Sequence, residues 1–192
     1  MCCLRLFLFP LTIRENSQLA QLDFYSPGWL LLKLERGFND NNSRESVFVS
    51  DFPPSVSELL DEFNEIPDWD ERYEYLIELG RELPPIDAQH QTKENLVHGC
   101  MSTVWLVSSV DPEDRLIEIT ADSDSLIVKG LIVVLLSLYQ RNTAEEVLKA
   151  DERSLFKQLG LDMHLSPNRR NGLFSMVGRI KQLATESLAG RD

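Results

Sequence analysis

The stretch RLIEITADSDSLIVKGLIVVLLSLYQ, residues 115–140, changes its hydrophobic period in the middle. In its first part Ile117, Ile119 and Ala121 alternate with polar residues, which is typical of a strand with one buried face. Its second part, from Ser125 onward, is apolar nearly all round, so a helix there would be buried on most sides. The β-branched residues leave a strand open as an alternative, but the length favours a helix. We therefore expect a strand that leads directly into a central buried helix.

Two further strand candidates precede this stretch. Residues 103–110, TVWLVSSV, are apolar and β-branched, and the DPED segment that follows has the composition of a turn. We therefore expect residues 103–110 to pair with the next strand as an antiparallel hairpin. NLVH, residues 95–98, is a shorter candidate for a third strand. Asp122 or Asp124 is expected to cap the central helix.

Helix signals lie on both sides of the predicted strands. Before them, Ser55 and Glu58 have the spacing of a capping box, and Gly80 is placed to end a second helix. After them come the central helix and three more, and Thr143 with Glu146 repeats the capping spacing. This segregated order predicts an α+β fold, in which a small three-stranded antiparallel sheet is packed by helices.

The charge of the chain is unevenly distributed. Residues 1–50 carry five basic and five acidic residues, so the whole net charge of −12 belongs to residues 51–192. An acidic domain repels phosphates, so nucleic-acid binding is not expected. An acidic surface suits a basic protein partner, or serves solubility alone. We interpret residues 1–50 as an irregular or disordered extension, or as sequence upstream of the true start of translation, and residues 51–192 as the folded domain.

The three cysteines do not form a disulfide framework, because Cys2 and Cys3 are adjacent and no Cys-x-x-Cys pair occurs. A reducing compartment fits this pattern. The segment LRLFLFPLTI, residues 4–13, is broken by a proline and makes a poor signal peptide. No apolar run approaches the roughly 18 residues that a membrane span needs. These features predict a cytoplasmic protein without membrane association.

Cys100 lies between two strand candidates, directly after Gly99. A thiol on a loop that a rigid scaffold holds is reachable, and a glycine beside it permits the close approach of a partner. The alternative is an inert packed cysteine, because free cysteines are among the residues most often buried. His98 and Cys100 also have a metal-ligand spacing, but zinc needs about four ligands and the others are missing.

Two other interpretations involve residues near the start of the last predicted helix. Cys100, His164 and Asn168 could assemble a cysteine hydrolase, since such triads are recognised by geometry and not by chain order. Arg169 and Arg170 fall in the first turn of that helix, where the helix dipole disfavours cations. We expect either a nearby carboxylate that compensates them or a functional anion such as a thiolate.

Four segments, in this order and at these distances, resemble the SufE family of sulfur-acceptor proteins, including its CsdE branch. They are WDERYEYLIELGRELP (69–84), GCMSTVW (99–105), ADSDSLIVKGLI (121–132) and HLSPNRRNGL (164–173). The resemblance extends over residues 57–188. It implies the small antiparallel sheet packed by helices that SufE shares with IscU-type scaffolds, in agreement with the α+β prediction.

The resemblance also implies a function. A cysteine desulfurase of the SufS or CsdA type, which carries the pyridoxal phosphate, would pass persulfide sulfur to Cys100 and be stimulated by doing so. Cys100 would then deliver the sulfur to SufB of the SufBCD scaffold for iron–sulfur cluster assembly. The chain itself would need no cofactor and no metal, and would be a monomer or a weak homodimer.

Three further residues match the family's motifs or their surroundings. Arg169 is expected to orient the cysteine loop, and Asp124 to lie beside that loop and touch the partner. His98 replaces a polar, uncharged residue of the relatives, so its imidazole either lowers the pKa of the thiol or has no effect. An IscU-like scaffold is the alternative function, but it needs about three or four ligands, and only Cys100 and His98 are offered.

Overall fold

The computed structural model describes residues 52–189, so the predicted irregular extension, residues 1–50, lies outside the described residues. The helices and strands follow in the order α1 (Val56–Glu65), α2 (Trp69–Glu82), β1 (Val104–Val110), β2 (Ile117–Ser123), α3 (Leu126–Tyr139), α4 (Ala144–Lys149), α5 (Glu152–Gln158), α6 (Leu161–His164) and α7 (Pro167–Ala189). A 3-10 turn, Ala88–His90, lies between α2 and β1. The short helix α6 was not predicted. No helix between residues 52 and 189 has both the length and the apolar character that crossing a bilayer requires.

The α+β class is confirmed, with β1 and β2 forming the predicted antiparallel hairpin. Val104 pairs with Ser123 at one end and Val110 with Ile117 at the other. The prediction of a third strand at residues 95–98 is wrong. Leu96 forms only an isolated bridge to Trp105, because the chain turns away at Gly99, where φ is +92°. The sheet therefore has two strands in the described part of the chain.

Helix α3 is the centre of the domain, as its apolar sequence predicts. It packs against α2, β2 and α1, and also against α7. Its buried residues are Ile127, Gly130, Leu131, Ile132, Val133, Val134, Leu135, Leu136 and Tyr139. A helix covered on most of its circumference needs this apolar surface all round. Because α3 begins three residues after β2, its position also fixes the sheet.

Gly80 does not end α2, contrary to the prediction, because the helix continues to Glu82. Its role is close packing against Gly130 of α3. A Cβ atom built on Gly80 would lie 2.8 Å from the backbone nitrogen of Gly130, and one on Gly130 would lie 2.7 Å from the carbonyl carbon of Leu76. Only glycine at both positions lets the two helix backbones come this close.

Both predicted capping boxes are present, whereas the predicted cap of α3 is not. Ser125 is the N-cap residue of α3, and its side chain makes no capping hydrogen bond. Asp122 is buried and accepts hydrogen bonds from the backbone N–H groups of Ile86 and Ser123. It also pairs with Lys129 of α3 at 2.6 Å. The carboxylate thus satisfies other buried donors, which would be costly to leave unpaired.

Candidate functional site

Cys100 lies on the loop that joins the isolated bridge at Leu96 to β1. Gly99 adopts a left-handed backbone conformation there, and a Cβ atom on it would lie 2.6 Å from Oγ of Ser175. The loop therefore runs directly against α7, and its positive φ at residue 99 favours a glycine. This packing holds the neighbouring thiol in a defined place.

The Cys100 side chain is half-buried against Gly172 of α7. Its Sγ donates a long hydrogen bond, 3.5 Å, to the carbonyl oxygen of Gly172. A Cβ atom on Gly172 would lie 3.3 Å from Sγ and 3.6 Å from Cα of Cys100. Gly172 and Ser175, three residues apart on one face of α7, together form the seat of the loop.

Asp124 fastens the far end of the same loop to the start of α3. Its Oδ1 accepts a hydrogen bond of 3.1 Å from the backbone N–H of Thr103, and its own backbone N–H donates to the Thr103 carbonyl at 3.3 Å. Oγ of Ser123 donates to that carbonyl as well, at 2.8 Å. The structure thus places Asp124 beside the cysteine loop and gives it a positioning contact.

A cavity of about 410 Å³ opens beside the thiol between the loop, α3 and α7. Its buried or half-buried apolar wall consists of Val128, Leu131, Leu173 and Met176. Its more exposed polar wall consists of Ser102, Ser125, Ser166 and Asn168. Arg169 is the one charged side chain among the described residues that line it. The thiol therefore borders a space lined by both apolar and polar side chains.

Arg169 makes no ion pair within residues 52–189, so no carboxylate there compensates its unfavourable position at the helix start. Its guanidinium carbon lies 6.0 Å from the centre of the Tyr73 ring, a cation–π contact that keeps the side chain at the cavity. Arg170, in contrast, donates to the backbone oxygen of Asp162 and does not line the cavity.

Burial raises the pKa of the Cys100 thiol above its ordinary value, because the neutral form loses less hydration than the thiolate. His98 is exposed, and its imidazole makes no hydrogen bond to the thiol in the described part of the chain. Burial thus favours the neutral thiol over the thiolate, which is the nucleophilic form.

Alkylation of Cys100 by iodoacetamide is expected to need a higher pH in the folded chain than in urea. Only the thiolate reacts, and burial raises its pKa in the fold. By the same linkage, the contribution of this thiol to stability persists below its unfolded pKa and is lost as pH rises through the folded value. Pulsed alkylation over a pH series, read out at the Cys100 peptide by mass spectrometry, measures both curves. If the pH midpoint of alkylation in the folded chain were equal to or lower than the midpoint in urea, burial would not raise the pKa of the thiol.

The structure does not assemble the hydrolase triad. The ring of His164 stacks on Trp69, with centroids 3.9 Å apart and planes 12° from parallel, and its backbone oxygen accepts from the hydroxyl of Tyr73. Asn168 lines the Cys100 cavity, whereas His164 is not among its lining residues. Among the described residues, no three His, Cys, Asp or Glu side chains lie together as a metal site would require.

Sequence reasoning missed three residues of the site: Tyr73, Gly172 and Ser175. Gly172 lies three residues after Arg169, and Ser175 three residues after Gly172, so helical spacing could have placed Gly172 next to each of them on α7. Tyr73 lies on α2, and only the tertiary structure brings it to Arg169.

Fold and site together define a class: a small α+β domain that presents one half-buried thiol on a loop seated against a helix. The sequence model of the family described as SufE, Fe-S metabolism associated domain, matches residues 57–184. The chain belongs to this family, and membership supports a sulfur-transfer role in iron–sulfur metabolism.

Individual relatives agree with this assignment. An uncharacterised SufE-like protein of Rhizobium etli is 42% identical over 135 residues, which cover 69% of this chain and 91% of the relative. A second one, from Rhizobium meliloti, is 41% identical over 132 residues, 68% of this chain and 94% of the relative. The solution structure of a hypothetical protein from Thermus thermophilus covers 70% of this chain and 96% of its own, with a TM-score of 0.57 and 19% identity. That last likeness concerns the fold alone.

Proposed function

We propose that this protein carries sulfur on Cys100 from a pyridoxal-phosphate-dependent cysteine desulfurase of the SufS or CsdA type to SufB of the cluster scaffold. The observation that carries the proposal is a half-buried thiol on an anchored loop, bordered by a cavity and by one uncompensated arginine. In this proposal the protein works in the cytoplasm as a monomer or weak homodimer and stimulates the desulfurase. The pyridoxal phosphate is bound by the desulfurase and not by this protein.

The transfer itself is a thiol–persulfide exchange. The Cys100 thiolate attacks the outer sulfur of the donor persulfide, the donor's sulfur–sulfur bond breaks, and the donor cysteine leaves as a thiolate. The net reaction moves one sulfur atom and one proton without change of oxidation state. It needs one attacking thiol and access to the donor, which this loop offers.

The surroundings of Cys100 suit each stage of this exchange. Met101, beside the thiol, is 82% exposed, and methionine is enriched at protein–protein interfaces. Arg169 places one positive charge on the cavity that Cys100 borders, which favours the approach of an anionic persulfide donor. Asp124 keeps the loop end in place through Thr103, and His98 stays exposed at the start of the loop.

The test is sulfur loading of the intact chain. After incubation with a desulfurase, cysteine and pyridoxal phosphate, the mass of the protein should rise by one sulfur atom, and peptide mapping should locate it at Cys100. Cys2 and Cys3 are internal controls and should stay unloaded. Incubation without cysteine gives the background. Loading at Cys2 or Cys3 instead of Cys100, or none at all, would refute the proposal.

A further inference from the structure

The cavity beside Cys100 is much larger than a carried sulfur atom requires. One added sulfur occupies about the space of a water molecule, roughly 30 Å³. The cavity measures about 410 Å³, which falls among pockets that bind small molecules, about 300–1,000 Å³. The volume therefore leaves room for a second molecule at the thiol.

The lining restricts what that molecule can be. Leu131, Leu173 and Met176 are buried and offer an apolar wall for a short carbon chain or a polarisable sulfur. Ser125 and Asn168 also line the cavity, and their side chains make no hydrogen bond to the described protein. Such side chains are available to a ligand with polar groups.

The charge of the cavity lining favours the binding of an anionic ligand. Arg169 is the only charged side chain among the described lining residues, in a chain whose net charge is −12. It makes no hydrogen bond or ion pair within residues 52–189, and its contact with Tyr73 leaves its N–H donors free. A guanidinium with free donors fits a carboxylate in a two-pronged arrangement.

We propose that this cavity binds a small thiol that carries a carboxylate, with the carboxylate at Arg169 and the sulfur at Cys100. This inference rests on the proposed function, since it makes such a thiol a direct acceptor of the carried sulfur. The thiolate of the ligand attacks the outer sulfur of the Cys100 persulfide and forms a new sulfur–sulfur bond. The old bond breaks, and Cys100 leaves as a thiolate that takes up a proton, so the oxidation states balance.

Binding is tested first, in a variant that has no thiol at the cavity. Cys100→Ser is titrated with mercaptopropionate, and backbone amide shifts are followed by NMR. Saturable shifts are expected around residues 100–102, 125–131 and 166–176. Adding Arg169→Gln should weaken the apparent Kd about tenfold, as expected for loss of one charge-assisted contact. The matched control is Arg153→Gln, whose guanidinium lies over Phe174 and does not line the cavity. Shifts that do not saturate, or an equal loss of affinity in the Arg169→Gln and Arg153→Gln variants, would overturn the inference.

Transfer is tested next, in wild-type protein loaded with sulfur and then freed of desulfurase and cysteine. Mercaptopropionate should unload the protein with saturating kinetics, about tenfold faster than mercaptoethanol at equal thiolate concentration, because only the former has a carboxylate. Equal, non-saturating rates would overturn the inference. If loading fails while Cys100→Ser still binds mercaptopropionate saturably, the carrier function is wrong and the cavity remains a thiol-carboxylate site. If loading succeeds without saturable binding, the carrier function stands and this inference falls.

Discussion

Cys100→Ser is expected to reduce sulfur loading, and the stimulation of the desulfurase, to the level measured without this protein. The hydroxyl cannot attack a persulfide under conditions where a thiolate does, because it stays protonated. The substitution should leave the fold intact, since serine is nearly the same size and can donate to the Gly172 carbonyl as the thiol does. We expect the free energy of unfolding to change by less than about 1 kcal/mol. Loading is read by intact mass, turnover by sulfide release, and stability by denaturant titration.

A moved thiol is the sharper control for this variant. Ser102 lines the same cavity as Cys100, so Cys100→Ser combined with Ser102→Cys returns a thiol to the site at a different place. If seating of the loop on Gly172 positions the reactive sulfur, this double variant should remain unloaded. Restored loading would mean that any thiol at the cavity suffices, and that the seat on α7 has no role in transfer.

The hairpin and the central helix could be predicted from the sequence because each depends on a pattern of residues that are close together in the chain. The alternation of Ile117, Ile119 and Ala121 gives the buried face of β2, and these residues are indeed buried. The capping boxes at Ser55 and Thr143 likewise depend only on residues three positions apart. Local patterns of this kind survive into the fold because nothing at long range opposes them.

The wrong predictions share one physical cause, which is tertiary use of a locally ambiguous residue. Glycine is common at helix ends, but Gly80 instead lies inside α2, where its lack of a side chain permits close packing against α3. Asp122 has the position of a helix cap, yet Lys129 and two backbone N–H groups bind it. The segment around Leu96 has strand composition, but the turn at Gly99 stops its pairing after one bridge. The partners that decide these outcomes are set by the tertiary fold and not by a periodic pattern in the sequence.

The residues of the site likewise fall into some that the sequence predicted and others that only the structure reveals. Cys100, Asp124 and Arg169 were found through motifs shared with the SufE family. The fold places Cys100 and Arg169 at one cavity and Asp124 at the end of the cysteine loop. Gly172 supports the thiol through the absence of a side chain, which no pattern of chemical groups reveals. A residue that acts by its small size is visible only once its neighbours are placed.

Gly130→Ala is expected to destabilise the protein by about 3 kcal/mol or more. The new methyl group would meet the Leu76 backbone, with the carbonyl carbon only 2.7 Å from Cβ. Backbone atoms inside a helix cannot move aside as the end of a flexible side chain can, so α2 and α3 would have to separate. Since α3 also carries Val128 and Leu131 of the cavity, this shift should disturb the thiol site as well. Denaturant titration gives the stability, and the rate of Cys100 alkylation reports on the site.

Gly178→Ala is the matched control, because it makes the same substitution in a helix without a close neighbour. A Cβ atom there meets nothing within 4 Å, and Gly178 is exposed on α7. Alanine should therefore stabilise the protein by about 0.5–1 kcal/mol, the ordinary gain over glycine in a helix. The two variants thus have opposite expected signs, although their helix propensities predict the same gain. If Gly130→Ala also stabilised the protein, the helices would not be in contact at Gly80 and Gly130, and the position of α3 beside the cavity would have to be revised.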